Sequence, residues 1–158
     1  MIFLRVADVR DLDELVRRRE LVVAMGEGDV HGVAAAALMF ADFAVLAENA
    51  TLHVDTAEAW AGAVWRLGCK ALHVQPTMSA SEAKDAGLCD AVTGEEEETW
   101  LQEWMRHRSV VALDSAAALI RSRGGDRLER AEFARLFALG EPQKGLDAFL
   151  GKRKPTYS

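Results

Sequence analysis

The chain has 158 residues, half of them hydrophobic (50%), and a formal net charge of −6. That length and apolar content suit a domain with a sizeable core. The acidic balance excludes the basic patch that a nucleic-acid surface needs, no apolar run is long enough to span a bilayer, and the N-terminal MIFLRVADVRD lacks a secretory pattern.

In chain order, residues 1–7 read as a short apolar strand. Residues 9–19 place Val9, Leu12, Leu15 and Val16 at helical spacing and predict an amphipathic helix. Residues 21–25 are a second strand, 33–41 a buried alanine-rich helix, 43–47 a third strand and 51–54 a fourth. From residue 58 the pattern turns helical, with Trp60, Val64, Leu67, Ala71 and Leu72 on one face. Ser79 and Glu82 have capping-box spacing, and Gly87 is a C-terminal stop for the short helix that follows. Residues 88–92 are extended. Helices are predicted over 100–105, 110–121, 128–139 and 142–150, punctuated by Gly124, Gly125 and Gly140, with Glu95 to Glu98 as a solvated helix start. The expectation is an α/β region over residues 1–92 followed by a helical region over 93–158. Cys69 and Cys89 do not make a disulfide framework and read as buried free thiols of a cytoplasmic protein.

The stretch most suited to face a ligand is the glycine turn between the second strand and the alanine-rich helix. Gly26, Gly28 and Gly32 allow the backbone to turn tightly, and a helix start presents N–H groups and a positive dipole end to an anion. One reading is a dinucleotide fold, with Glu48 twenty residues beyond Gly28 as the ribose-binding acid. Against it, His31 stands where the third glycine of G-x-G-x-x-G belongs, and few strands are expected after residue 54. His31 and Asp29 form one candidate acid–base dyad, and His53, Asp55 and Glu58 one weak acid–base or metal cluster. Solvated turn residues are the plainer reading of both, and no metal site is expected. His73 and His107 read as surface or helix-end residues. Trp60 and Trp65 read as helix-core packing before acyl-pocket lining. Cys69, with Lys70 beside it, has no histidine at recognisable spacing to activate it.

Three segments resemble the crotonase (enoyl-CoA hydratase/isomerase) superfamily. MSASEAKDAGLCDAV, residues 78–92, is similar to the family's "SAxEAxxxGLV" segment. ALGEPQKGLDAFLGKRKP, residues 138–155, is similar to its C-terminal "EDxxEGxxAFxEKRxP". VVAMGEGDVHGVAAAALMFADFAVLAENATL, residues 22–52, is similar to "VIAAVNGxAxGGGxELAxxCDxxxAxxxAxF", with Asp42 at the helix-ending Asp. The resemblance implies a shortened α/β spiral core of the ClpP/crotonase kind with a C-terminal helical oligomerisation region. It implies that the protein self-assembles as a trimer or hexamer. It also implies a coenzyme A or acyl-carrier-protein thioester as ligand, with no required cofactor.

In that family two backbone N–H groups stabilise a thioester enolate and acidic side chains move protons. The resemblance places one of those N–H groups on Val33. It places the two hydratase glutamates on Ala36 and Thr56, neither of which transfers a proton as a carboxylate does. Asp55 or Glu58 could stand in for the second acid, and His31 lies on the same turn. The glycine-rich front segment that carries the other N–H is missing. Phe149, Lys152 and Lys154 match the positions that close over the CoA adenine. The resemblance therefore implies a scaffold without hydratase activity, or alternatively an isomerase, decarboxylase or lyase working with the turn and one acid such as Asp55.

Overall fold

The computed structural model describes residues 1–18, 20–122 and 125–157. It divides into two compact units. The α/β unit comprises residues 2–18 and 22–95; the helical unit is built on residues 96–157 with Met1, Glu20 and Leu21.

The α/β unit begins with β1 (Ile2–Arg5), a 3-10 turn (Val6–Asp8) and α1 (Leu12–Arg17). The predicted first strand and helix are both shortened. The strand ends at Arg5, where the 3-10 turn begins, and Asp11, whose side chain accepts the Asp13 N–H at 2.8 Å, caps α1 and leaves Val9 outside. There follow β2 (Val22–Gly26), β3 (Asp29–Val30), α2 (Gly32–Phe40), β4 (Phe43–Ala47) and β5 (Thr51–His53). After α3 (Ala57–Leu67) and a second 3-10 segment (Gly68–His73) come β6 (Thr77–Ser79), α4 (Ala80–Asp85) and β7 (Ala91–Thr93).

Two sheets result among the described residues. The larger is four-stranded and parallel in the order β1-β2-β4-β7. Its central strands read as continuous apolar runs, VVAMG and FAVLA, because a parallel sheet covered on both faces has no solvent side to alternate with. The smaller has the order β3-β5-β6, β3 parallel and β6 antiparallel to β5. Ala35 to Met39 of α2 are fully buried, which is why this helix carries no polar face. It packs on α1, β2 and α3.

The same device starts two strands of the larger sheet. Asp42 accepts the Val22 N–H at 2.7 Å and gives its own N–H to the Val22 carbonyl at 3.0 Å. Asp90 does the same to Ala44, at 2.7 and 2.8 Å. Arg66 then ties three segments together. Its guanidinium donates to the carbonyls of Gly87 (3.1 Å) and Ala41 (3.2 Å) and pairs with the Asp90 carboxylate.

Two expectations are corrected here. The helical face drawn through Trp60, Val64, Leu67, Ala71 and Leu72 breaks at Gly68, whose φ of +58° ends α3; Leu72 is 79% exposed. Cys69 is exposed, and only Cys89 is buried.

Burial pushes the Cys89 thiol up to about 11, with the Arg66 charge pulling the other way. Its neutral form is favoured in the fold, so this contribution is intact below the ordinary thiol range and fades as pH climbs through about 11. Alkylation of the native protein at neutral pH is expected to modify Cys69 and to spare Cys89 until denaturant is added. Mass mapping of both peptides checks this; equal labelling of the native pair would contradict it.

The helical unit contains α5 (Glu97–Met105), α6 (Val110–Ser122), α7 (Asp126–Ala138) and α8 (Glu141–Leu150). Ser109 accepts the Ala112 N–H at the start of α6 (3.1 Å) and donates to Glu141 of α8. That hydroxyl, and then Lys144 at 3.0 Å, hold the Glu141 carboxyl below the usual carboxylate range. His107 Nδ1 lies 2.9 Å from the Pro155 carbonyl.

Candidate functional site

The glycine turn is built by two positive-φ residues. Gly28 (φ +61°) lets β2 hand over to β3, and Gly32 (φ +55°) starts α2. Gly26 is needed for space, since a Cβ there would lie 2.9 Å from Val30 and 3.0 Å from Leu46. His31 occupies the N-cap of α2 with no side-chain cap bond, and its carbonyl takes the Ala34 and Ala35 N–H groups. The Val33 N–H precedes those donors and has no acceptor within its helix. The Val33 side chain is 37% exposed. The turn thus presents the Val33 backbone donor, beside a branched side chain, at the positive end of a helix.

Ala36 and Thr56, the positions that the resemblance assigns to the two glutamates, are engaged in packing and in capping. Ala36 is fully buried beneath α3. Gly62 of α3 approaches so closely that a Cβ on it would sit 3.2 Å from the Ala36 Cα and 3.0 Å from the Met39 Cβ. α2 and α3 are thus in close backbone contact at Ala36, with Gly62 the residue that permits it. Thr56 caps α3, its hydroxyl accepting the Ala59 N–H at 3.2 Å. Asp55 precedes that cap and is exposed, and Glu58 sits exposed in the first turn of α3, where its charge favours the helix dipole.

The two polar clusters expected from the sequence are regrouped. His31 is exposed and is not the partner of Asp29. Asp29 Oδ1 instead lies 3.3 Å from His53 Nε2, and His53 Nδ1 lies 3.3 Å from Thr77 Oγ1. Asp55 and Glu58 are not part of this group. Thr77 was invisible to sequence reasoning because it joins by strand register, His53 facing Thr77 across β5 and β6. A polar residue before the capping-box serine was the only signal for it. Glu48, the acid of the dinucleotide reading, gives its N–H to Thr93 at 2.9 Å and rests its carboxylate against Gly94.

Trp60 packs partly buried against the core. Trp65 is a correction: it is 61% exposed, touching Phe40 at a ring-centroid distance of 5.7 Å. In the helical unit Phe149, in the last turn of α8, is 78% exposed, and Lys152 and Lys154 are exposed just beyond the helix, Lys152 with φ +50°. Among the described residues no group of three or more His, Cys, Asp or Glu is arranged to hold a metal ion. Nor is any helix long and apolar enough to cross a membrane.

No protein-family model and no curated protein matches the chain. Solved structures do. An enoyl-CoA hydratase from Polaromonas sp. JS666 aligns over 93% of this chain at 24% identity and TM-score 0.71. An enoyl-CoA hydratase subunit I from Geobacillus kaustophilus HTA426 aligns over 92% at 24% identity and TM-score 0.70. An enoyl-CoA hydratase/isomerase from Marinobacter aquaeolei aligns over 91% at 20% identity and TM-score 0.65. The chain spans 66%, 65% and 63% of their respective lengths. Its fold is that of the enoyl-CoA hydratase/isomerase (crotonase) structures in shortened form.

Proposed function

We propose that the chain is a divergent relative of the enoyl-CoA hydratases/isomerases that keeps the scaffold and has lost hydratase activity. The observation that carries this reading is the fate of the two acid positions: Ala36 is sealed under Gly62 and Thr56 is engaged as a helix cap. Hydration needs a base to activate water and an acid to protonate carbon. The remaining acids nearby, Asp55 and Glu58, are exposed.

The scaffold's retained roles are self-assembly and acyl-thioester binding. The helical unit exposes Phe133, Phe137, Leu146, Phe149 and Leu150, apolar surface that supports assembly into a trimer or hexamer. In the α/β unit the Val33 N–H is the donor offered to a thioester carbonyl; in the helical unit Lys152, Lys154 and Phe149 are the groups offered to CoA phosphates and adenine. The ligand is a CoA or acyl-carrier-protein thioester, and the protein works in the cytoplasm.

Calorimetric titration of the intact protein with acetyl-CoA tests the binding half. Saturable heat is expected, weakened roughly tenfold or more when Phe149, Lys152 and Lys154 are all replaced by alanine. No heat at millimolar acetyl-CoA would end that half of the proposal. A second reading, an isomerase, decarboxylase or lyase, is favoured by the Val33 N–H at the positive end of α2. It predicts turnover of an acyl-CoA that Asp55→Asn abolishes.

A further inference from the structure

We propose that Asp29, His53 and Thr77 form a carboxylate–imidazole–hydroxyl site for acyl transfer from activated carboxylic esters, with Thr77 as nucleophile. The three side chains come from three different strands, β3, β5 and β6, and meet on the face of the small sheet opposite its buried Val30, Leu52 and Met78. A solvated face of cross-strand polar pairs requires only that neighbours attract. This arrangement has two further properties.

The first is hydrogen-bond direction. An ionised carboxylate can only accept, so in the neutral ring Nε2 carries the hydrogen and gives it to Asp29. Nδ1 is then the acceptor, and Thr77 Oγ1 must be the donor. That is the polarity of a nucleophile held by its base, with the base oriented by an acid.

The second is backbone direction. The Val54 N–H bonds Pro76 and the Ala80 N–H bonds Ala50, so hydrogen-bonded pairs alternate with His53–Thr77 as a non-hydrogen-bonded pair. Such pairs bring side chains closest, at a Cα separation of about 4.5 Å. They also turn the Thr77 N–H away from β5, and β6 is the edge of its sheet. The nucleophile's own N–H is therefore placed as a donor to an oxyanion formed beside Oγ1, a known use of a nucleophile's backbone.

The step balances without a further reagent. Thr77 Oγ1 bonds to the acyl carbon as its proton passes to His53 Nδ1. The bond from the acyl carbon to the leaving oxygen or sulfur breaks, and that atom takes the proton from His53. Water then attacks the acyl-Thr77 ester by the same route, releasing the carboxylic acid and restoring the hydroxyl. Asp29 acts as a positioning residue through His53.

The test uses the intact protein and p-nitrophenyl acetate, a probe that does not depend on CoA binding. Acid quench and peptide mapping should place an acetyl group on Thr77, accompanied by release of p-nitrophenolate. Thr77→Val should abolish that adduct and Thr77→Ser should retain it. His53→Gln should slow acylation by roughly 100-fold. Asp29→Asn should lower kcat with KM unchanged, and Asp29→Glu should recover part of the loss. Circular dichroism of each variant identifies one that has failed to fold, and the Thr77→Ser and wild-type adducts then carry the test alone. Acetyl found only on lysines or Cys69, or acylation of Thr77 at an unchanged rate in His53→Gln, would overturn the proposal.

Discussion

Ala36→Glu is expected to lower the stability of the α/β unit by more than about 3 kcal/mol and to restore no hydratase activity. Ala36 is fully buried, and the Gly62 backbone lies against it. A glutamate there either pushes α3 off α2 or brings a carboxylate into an apolar interface with no partner, and both are costly. Urea denaturation of the purified variant measures the loss, and the assay on crotonyl-CoA measures the activity. A variant as stable as the parent that hydrates crotonyl-CoA would mean that the acid position is merely vacant. The account instead has α2 and α3 closed over it.

Arg66→Ala is expected to cost about 2–3 kcal/mol, with Arg66→Lys recovering only a fraction. The guanidinium reaches two carbonyls and the Asp90 carboxylate from one planar group, tying α3 to the end of α2 and to the segment leading into β7. A lysine ammonium is a single point charge on a flexible stem and cannot span those acceptors together. Removal leaves the part-buried Ala41 carbonyl without this donor, while the exposed Gly87 carbonyl turns to water. Because Asp90 also accepts the Ala44 N–H, the strand pairing itself should survive. Thermal melts of the two variants check the order: Arg66→Lys as stable as the parent would show that charge alone suffices.

The parts of the fold legible in the sequence were those with their own local physics. The runs of β2 and β4 are apolar throughout because the parallel sheet is covered on both sides, and α2 is apolar throughout for the same reason. Ser79 and Glu82 form the capping box that their spacing predicts, with the Glu82 carboxylate accepting the Ser79 N–H at 2.8 Å. The Ser79 backbone and hydroxyl bonds hold the Glu82 carboxyl below its ordinary range.

What escaped were features made by pairing. β3 and β6 are too short, at 2 and 3 residues, to show a period, and exist because β5 lies between them. The break at Gly68 hid inside an apolar pattern that continued past it, and only its left-handed φ reveals the end of α3. The same limit applies to the site. The committed state of Thr56 and Ala36 depends on what packs against them, and His53 meets Thr77 through register alone.

The central claim is that this scaffold does not hydrate enoyl thioesters. The most direct test follows the enoyl chromophore of crotonyl-CoA with the protein in molar excess, so that even one slow turnover would register. The account predicts no loss of the chromophore beyond the buffer rate, in the parent and in Asp55→Asn alike. Hydration by the parent that disappears in Asp55→Asn would contradict it.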